Sequence, residues 1–180
     1  MGSAEKPMLF ASPFSMGELY KDLLQQAGKQ IELADHMLYV TYPLVQEMKF
    51  LLSIMERVTC AARLAVQSML EYEYYYKRID AYNKTFVSEI SIYKNKVEQR
   101  YKMDVRYFRL FQKLMDIQKF DKESMFKFKK GDKYILSTSE YSMSVLDLEL
   151  VKKCSNRTKK FVADVTRIVQ TESLQNRTSV

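Results

Sequence analysis

Apolar side chains recur at steps of three and four residues along most of the chain, the spacing that gathers them on one face of an α-helix. The first such stripe runs from Met16 to about Tyr39. Asp104 and Asp147 each stand just before a later stripe, where an aspartate can cap a helix. The spacing predicts five helices, over residues 16–39, 44–79, 86–97, 104–119 and 147–170.

The second helix is the expected centre of the fold, because its apolar residues lie on more than one side. It contains three alanines between residues 61 and 65, which are small enough to let a neighbouring helix approach closely. Pro43 suits the first turn of this helix, and we expect its ring to force Tyr42 out of the helical region. The sequence therefore predicts a corner at residues 40–43 and a second break at residues 80–84.

The pattern changes before the last helix. Aromatic residues alternate with lysines over residues 126–129, between Met125 and Lys130. Gly131 and Asp132 follow, and a β-prone run begins at Tyr134. This order is typical of a short β-hairpin, and residues 142–146 can add a third extended segment. The predicted fold class is therefore mainly α: an up-down bundle of about five helices with a small β-hairpin before the last helix.

Length and composition suit one domain. The chain has 180 residues, of which 47% are hydrophobic and 28% charged, with only four glycines and three prolines. This composition excludes a disordered or low-complexity chain. The first and last residues lack apolar side chains at helical spacing, so we predict a flexible N-terminal tail over 1–15, a single helical-bundle domain over 16–170 and a flexible C-terminal tail over 171–180.

The net charge of +7 is unevenly distributed. Residues 94–133 carry 13 basic and six acidic side chains, and residues 152–180 carry seven basic and two acidic ones. Residues 1–93, by contrast, carry nine basic and eleven acidic side chains. We therefore expect one electropositive half, and a clustered positive surface attracts phosphate backbones or acidic partners. The alternative interpretation is that these cations only solvate the outer faces of helices.

Two basic clusters are candidates for contact with nucleic acid. Arg106, Arg109 and Lys113 repeat at steps of three and four, with a lysine one turn earlier, and form one edge suited to a phosphate backbone. On the hairpin, strand alternation places Lys127 and Lys129 on one face and Phe126 and Phe128 on the other. Lysines on short edge strands also protect against edge-to-edge aggregation. The predicted nucleic-acid-binding residues are Lys102, Arg106, Arg109, Lys113, Lys127, Lys129, Lys130 and Lys133.

The sequence lacks catalytic and metal-binding signatures. One histidine and two distant cysteines cannot supply the ligands of a usual zinc site, and four isolated glycines cannot form a phosphate-binding loop. His36 beside Asp35 has the side chain of a general base. Adjacent helical residues, however, point about 100° apart, so the two side chains do not face each other. A histidine at a helix C-terminus is also stabilised by the helix dipole without any catalytic role. We therefore predict no enzyme activity, no catalytic residue, no cofactor and no metal.

Two further features are interpreted as packing. Cys60, in an apolar stretch of small residues, and Cys154 are expected to be reduced, structural thiols, with Cys60 buried. The tyrosines at residues 72–76, followed by two cations, could stack on single-stranded nucleic acid. At helical spacing, however, Tyr72 and Tyr76 lie on the apolar stripe, which favours a place in the core.

The order of the elements resembles the HEPN superfamily of small helical domains. The resemblance rests on the opening-helix segment LLQQA at residues 23–27, an alanine-bearing second helix at 57–69, an irregular stretch with lysine and tyrosine, and a closing helix at 150–169. The segment ADHMLYVTYPL at 34–44 is also similar to a group of uncharacterised archaeal helical proteins. Together these features cover residues 17–170.

Nuclease members of that superfamily use an arginine followed a few residues later by a histidine near the start of the last helix. This chain has no arginine between Arg109 and Arg157, and no histidine follows any arginine. The resemblance therefore does not imply nuclease activity or any site residue. It implies a non-catalytic member that binds RNA, a nucleotide or a protein partner, often as a dimer.

The chain shows no secretory-signal pattern and no stretch of 18 uncharged apolar residues, so we expect a cytoplasmic protein that does not enter a membrane. We predict a non-enzymatic binding module whose electropositive face engages RNA or a ribonucleoprotein surface. The alternative is a protein-interaction or scaffold subunit that docks another chain, or a second copy, through a Met- and Tyr-rich helical surface.

Overall fold

The computed structural model describes residues 13–178 except 141, with side chains from residue 19 to residue 172. The fold is mainly α, with five principal helices and a small antiparallel sheet before the last helix, which confirms the predicted class. The elements are α1 (Pro13–His36), a π-helical turn (Met37–Thr41), α2 (Tyr42–Val45), α3 (Phe50–Tyr75), α4 (Phe86–Ile92), a second π-helical turn (Tyr93–Val97), α5 (Glu98–Arg100), α6 (Arg106–Glu123), β1 (Phe126–Lys130), β2 (Lys133–Ser137), β3 (Met143–Leu146) and α7 (Leu148–Thr178).

The terminal helices extend beyond the predicted domain limits. α1 begins at Pro13, inside the predicted N-terminal tail, and residues 1–12 of that tail lie outside the described residues. α7 continues to Thr178, through most of the predicted C-terminal tail. Residues 171–178 include Glu172 and Leu174, which are good helix formers, so the backbone continues as a helix past the last apolar stripe residue.

α3 lies at the centre of the bundle, as its apolar pattern predicts. Fifteen of its 26 residues are buried. Ala61, Ala62 and Ala65 have no exposed surface, and their small side chains let neighbouring helices pack closely against α3. Tyr72, which the sequence places on the same stripe, is fully buried, and its ring lies 5.2 Å from that of Tyr20 in an edge-to-face contact. The interpretation of this tyrosine cluster as packing agrees with the structure.

α1 runs antiparallel along α3. Near one end of the pair, the Ser68 hydroxyl donates a 2.6 Å hydrogen bond to the carbonyl of Tyr20. Toward the other end, the Arg57 guanidinium donates to the side chain of Gln30 over 3.2 Å. The predicted apolar stripe of α1 is buried from Ala27 onward, whereas Leu19 is 37% exposed and Tyr20 takes its place in the core.

Buried carboxylates attach the segment that follows α3 to the bundle. The side chain of Glu73 has no exposed surface, accepts a 2.6 Å hydrogen bond from the Tyr101 hydroxyl and pairs with Arg78 at 3.2 Å. Glu89 on α4 is also fully buried and pairs with Arg63 of α3 at 2.9 Å. A carboxylate taken out of water needs such partners, so these contacts fix where the segment can dock.

The corner predicted at residues 40–43 is helical, so this prediction was wrong. Tyr42 has φ −58° and ψ −41°, and its N–H bonds to the carbonyl of Met37, five residues earlier. The wider π-helical turn leaves room for the Pro43 ring, which sits in the first turn of α2, where a missing N–H costs little. The chain turns instead at Gln46, whose φ of 51° lies in the left-handed region.

The predicted breaks and caps before the later helices are confirmed. An irregular stretch separates α3 from α4. The Asp104 carboxylate accepts a 2.9 Å hydrogen bond from the backbone N–H of Arg106, the first residue of α6. The Asp147 carboxylate accepts from the N–H of Leu150 over 2.8 Å at the start of α7.

The predicted hairpin is present, and β3 adds the third strand in the order β1-β2-β3. Gly131 forms the turn with φ +63°, a conformation that glycine adopts without strain. In the antiparallel register Lys127 faces Leu136 on the neighbouring strand. Leu136 and Leu146 are buried, so this face of the sheet lies against the bundle.

The two cysteines are free but differ in exposure. Cys154 is buried on α7, whereas Cys60 is exposed, so the prediction of a buried Cys60 was wrong. Position 60 continues a row of exposed residues on α3 that includes Glu56 and Arg57, at the three- and four-residue steps of one helix face. The small residues around Cys60 face inward, but the cysteine itself does not.

Burial raises the pKa of the Cys154 thiol to about 11, so this thiol stays protonated and shielded near pH 8. We expect a thiol reagent such as iodoacetamide to modify only Cys60 in the folded chain and both cysteines in urea, as measured by mass spectrometry of the peptides. Cys60→Ser should abolish the reaction of the folded protein. Equal reactivity of the two thiols in the folded chain would contradict the burial of Cys154.

Candidate functional site

All eight predicted nucleic-acid-binding residues are exposed, but the structure divides them between two parts of the fold. Lys102 lies just before α6, and Arg106, Arg109 and Lys113 lie along one edge of that helix. The other four residues lie on β1 and at the start of β2. About 15 Å of helix separates Lys113 from the last residue of α6, from which the chain enters the sheet. The structure therefore does not bring the eight residues into one contact group.

Two of the eight are held by carboxylates. The Arg106 guanidinium donates to both oxygens of Asp104 over 2.6–3.0 Å. The hydrogen bonds from the side chain and backbone of Arg106 lower the pKa of Asp104 to about 2. Lys127 Nζ lies 2.5 Å from the carboxylate of Asp121. Within the described part of the chain the other six make no ion pair, so their charges are uncompensated at short range.

α7 supplies a second row of cations beside α6. The two helices are antiparallel, and the Tyr107 hydroxyl donates a 2.6 Å hydrogen bond to Asp164. Burial raises the pKa of the Cys154 thiol, and the charges of Lys113 on α6 and of Arg157 and Lys153 on α7 offset part of this rise. All three cations therefore lie within electrostatic range of Cys154. Near the other end of the seam, the charge of Lys160 adds to the effect of Arg106 and lowers the pKa of Asp104 further. Cations of α6 and α7 therefore lie near each other beside Cys154, and a cation of α7 lies near the start of α6.

The segment of α7 from residue 150 to residue 163 contains five cations and no carboxylate. Among the described residues only one of the five is in an ion pair: Lys159, with Asp35 of α1. We use the term cationic face for the exposed or half-exposed cations at the α6–α7 seam. The cationic face consists of Arg109, Lys113, Lys153, Arg157 and Lys160.

The sequence analysis missed the α7 half of this face. The charge count had marked residues 152–180 as basic, with seven cations and two acids. It did not show which cations share a surface, because that depends on the antiparallel packing of α6 against α7. Phe161 of α7 sets this packing: its ring centroid lies 5.0 Å from those of Tyr107 and Phe111 on α6.

A cleft of about 550 Å³ opens beside α7, between the π-helical turn, α2 and the hairpin. Its wall includes the rings of Tyr39 and Tyr42 and the ammonium-bearing side chains of Lys129 and Lys152. Tyr39 is 49% exposed, and its hydroxyl lies 3.4 Å from the side-chain oxygen of Asn156. We call this the tyrosine cleft. Lys152 precedes Lys153 in α7, and the two side chains point about 100° apart around the helix. The cleft and the cationic face therefore lie on either side of the exposed surface of α7.

The hairpin lysines are divided between the two faces of the sheet. As predicted, Lys127 and Lys129 share one face and the two phenylalanines of β1 share the other. Lys127 and Lys129 lie on the face turned toward the bundle, and Lys129 lines the tyrosine cleft. Lys130 and Lys133 lie opposite each other on the outer face, at the hairpin end.

Asp35 and His36 lie in different surroundings. The Asp35 carboxylate accepts a 3.2 Å hydrogen bond from the Ser155 hydroxyl and pairs with Lys159, so it joins α1 to α7. His36 is exposed at the end of α1. Across the described residues, no group of three His, Cys, Asp or Glu side chains is arranged to hold a metal ion.

Comparisons of the chain with models of protein families, with curated proteins and with solved structures give no match. None of the helices in the described ranges is long and apolar enough to cross a membrane.

Release of Arg106 from Asp104 should strengthen attraction to polyanions. We expect Asp104→Asn to elute from immobilised heparin at higher salt than Asp80→Asn. Both variants raise the net charge by one, but Asp80 is exposed and makes no ion pair with the described residues. The asparagine can still cap α6. Identical elution of the two variants would show that total charge, not the Arg106 side chain, controls the interaction.

Proposed function

We propose that this chain is a non-enzymatic, cytoplasmic binding module that holds single-stranded RNA, free or at a ribonucleoprotein surface, against its cationic face. The observation that carries the proposal is the run of five cations without a carboxylate on α7, beside a second row on α6. Like charges one turn apart destabilise a helix, and Lys153 and Arg157 are such a pair. Folding alone gives no reason for this arrangement, whereas a bound polyanion compensates it.

The spacing of the cations fits a phosphate backbone. Lys153 and Lys160 lie seven residues apart on one helix, about 10 Å along its axis, and Arg109 and Lys113 run beside them on α6. Ammonium and guanidinium groups on phosphates provide affinity and position but no base readout. Arg106 contributes less than its neighbours because Asp104 already occupies its guanidinium group.

The tyrosine cleft supports a single-stranded ligand. Single strands expose bases that stack on aromatic side chains, and proteins that bind them combine such rings with a positively charged groove. Tyr39 offers a half-exposed ring, with Lys129 and Lys152 in the same cleft to meet the adjoining phosphate. A strand that crosses the exposed surface of α7 from the cationic face reaches this cleft at Lys152.

A non-catalytic relative of the HEPN superfamily would have this kind of function, and we propose such a relationship on the order of elements alone. Lys102, Lys130 and Lys133 lie outside both the cationic face and the tyrosine cleft. We therefore assign them a long-range attraction to the strand instead of direct contact.

Neutralising the cationic face should weaken RNA binding and flatten its salt dependence. The measured quantity is the slope of log Kobs against log salt concentration for binding of a short oligouridine. Each phosphate contact on a single strand contributes about 0.7 to the magnitude of this slope. For the double variant Lys153→Gln/Lys160→Gln, which removes two such contacts, we expect the magnitude to fall by about 1.4. Fluorescence anisotropy at several salt concentrations measures the slope.

The matched control is Lys29→Gln/Lys96→Gln, which removes two exposed cations on α1 and the second π-helical turn. This control should keep the wild-type slope. Equal slopes in the two double variants, or a salt-independent affinity in the wild type, would overturn the proposal.

The ring of Tyr39 should matter only for a ligand with bases. We expect Tyr39→Ala to weaken oligouridine binding about tenfold, within the range for loss of one stacked base, and to leave inorganic polyphosphate binding unchanged. Tyr39→Phe keeps the ring and should bind like the wild type. Equal losses for both ligands would mean that the substitution disturbs the fold and that no base stacks in the cleft.

A further inference from the structure

Exposed large apolar side chains of the described residues gather at two places: the region of α2 with the π-helical turn before it, and the sheet. On the sheet they form a defined surface. The register places Phe128, Ile135 and Val145 side by side across all three strands, and Phe126 and Met143 in the next row. The outer face consists of Phe126, Phe128, Lys130, Lys133, Ile135, Ser137, Met143 and Val145, and Ser137 lies between Phe126 and Met143.

The apolar part of the outer face is open to solvent. Phe126 is 64% exposed, Phe128 46%, Met143 65% and Val145 41%. The opposite face of the same sheet carries Leu136 and Leu146 into the interior, so folding already uses one apolar face. Adjoining exposed apolar side chains on a monomer commonly mark an interaction site.

Two lysines limit which partner fits this surface. Lys130 and Lys133 lie directly opposite each other at the hairpin end, and like charges in such a pair repel. Neither is in an ion pair with a described residue. A carboxylate placed between them would relieve the repulsion, so the outer face is complementary to apolar side chains followed by an acidic group.

The size of the face favours a short segment. Three strands, each about 4.8 Å wide, and five residues of about 3.4 Å each give a footprint of roughly 250 Å². A stable interface between globular partners buries about 800 Å² on each side. A second copy is also disfavoured, because a two-fold contact sets the patch against itself, and the patch carries two lysines and no carboxylate to pair with them.

We propose that the outer face of the sheet docks a short acidic segment of a partner protein, whose apolar side chains cover Phe128, Ile135 and Val145 and whose carboxylates meet Lys130 and Lys133. This is a second binding surface, separate from the cationic face. It agrees with the alternative prediction of a protein-interaction subunit, but places the contact on the sheet instead of on a helical surface.

The proposal can be tested with random peptides displayed on phage and selected against the immobilised chain. We expect the selected peptides to combine aromatic or aliphatic residues with Asp or Glu. A synthetic copy of one selected peptide, measured by fluorescence anisotropy, should bind Phe128→Ser at least about tenfold more weakly than the wild type. The matched control Val87→Ser changes an apolar residue that is 70% exposed on α4 and should leave the affinity unchanged.

A charge-swap experiment tests the lysine pair. We expect Lys130→Glu/Lys133→Glu to lose the acidic peptide and to bind the same peptide with lysine in place of Asp and Glu. This rescue excludes misfolding as the cause of the loss. Lys29→Glu/Lys96→Glu, with the same charge change elsewhere, should bind as the wild type does.

Four results would overturn the proposal. Selected peptides without acidic residues, or peptides that bind Phe128→Ser as well as the wild type, would mean that this face is not the docking site. A dimer in light scattering that Phe128→Ser dissociates would identify a second copy as the occupant. Loss of oligouridine binding in Phe128→Ser would identify the face as part of the RNA surface.

Discussion

The burial of α3 on every side but the one that carries Cys60 is the constraint on which the rest of the structure depends. A helix with fully buried alanines at positions 61, 62 and 65 needs helices packed closely around it, and α1, α6 and α7 provide them. A larger side chain at such a position clashes with the neighbouring helix, at a cost of about 1–3 kcal/mol. The apolar stripe of each surrounding helix must therefore face α3, and its polar side chains must face solvent or a neighbouring helix.

The cationic face is a consequence of this packing. α7 contributes Phe161 and Val165 to the core, and the rows of polar residues on either side of them face α1 or α6. On the α1 side, Asp35 pairs with Lys159. On the α6 side, Lys113, Lys153 and Arg157 all lie within electrostatic range of Cys154, and α7 has no carboxylate between residues 150 and 163. The interior thus determines where the cations lie, and the distribution of acidic residues leaves one side of α7 uncompensated.

Most of the fold follows from the sequence because helical periodicity and capping are local signals. The stripes, the Asp104 and Asp147 caps and the Gly131 turn all depend on residues a few positions apart. The failures have physical causes that are not local. Pro43 is tolerated inside a continuous helical path because a π-helical turn widens the backbone before it, and Cys60 points outward because the neighbouring helices do not cover that side of α3.

For the site, the sequence identified the basic edge of α6 but not its partner row on α7, since long-range packing brings the two rows together. The hairpin shows the same limit. Alternation correctly separated lysines from phenylalanines, but it could not tell that the phenylalanines would face solvent while Lys127 and Lys129 faced the bundle. That choice is made by Leu136 and Leu146, the residues of the sheet that reach the core.

The most direct test of the account is lysine footprinting by acetylation and mass spectrometry, with and without a saturating short oligouridine at low salt. The account predicts that Lys113, Lys153 and Lys160 are protected by the RNA, while Lys29 and Lys96 react as before. Uniform reactivity across all five lysines, or protection of Lys29 and Lys96, would contradict the assignment of the cationic face as the RNA-binding surface.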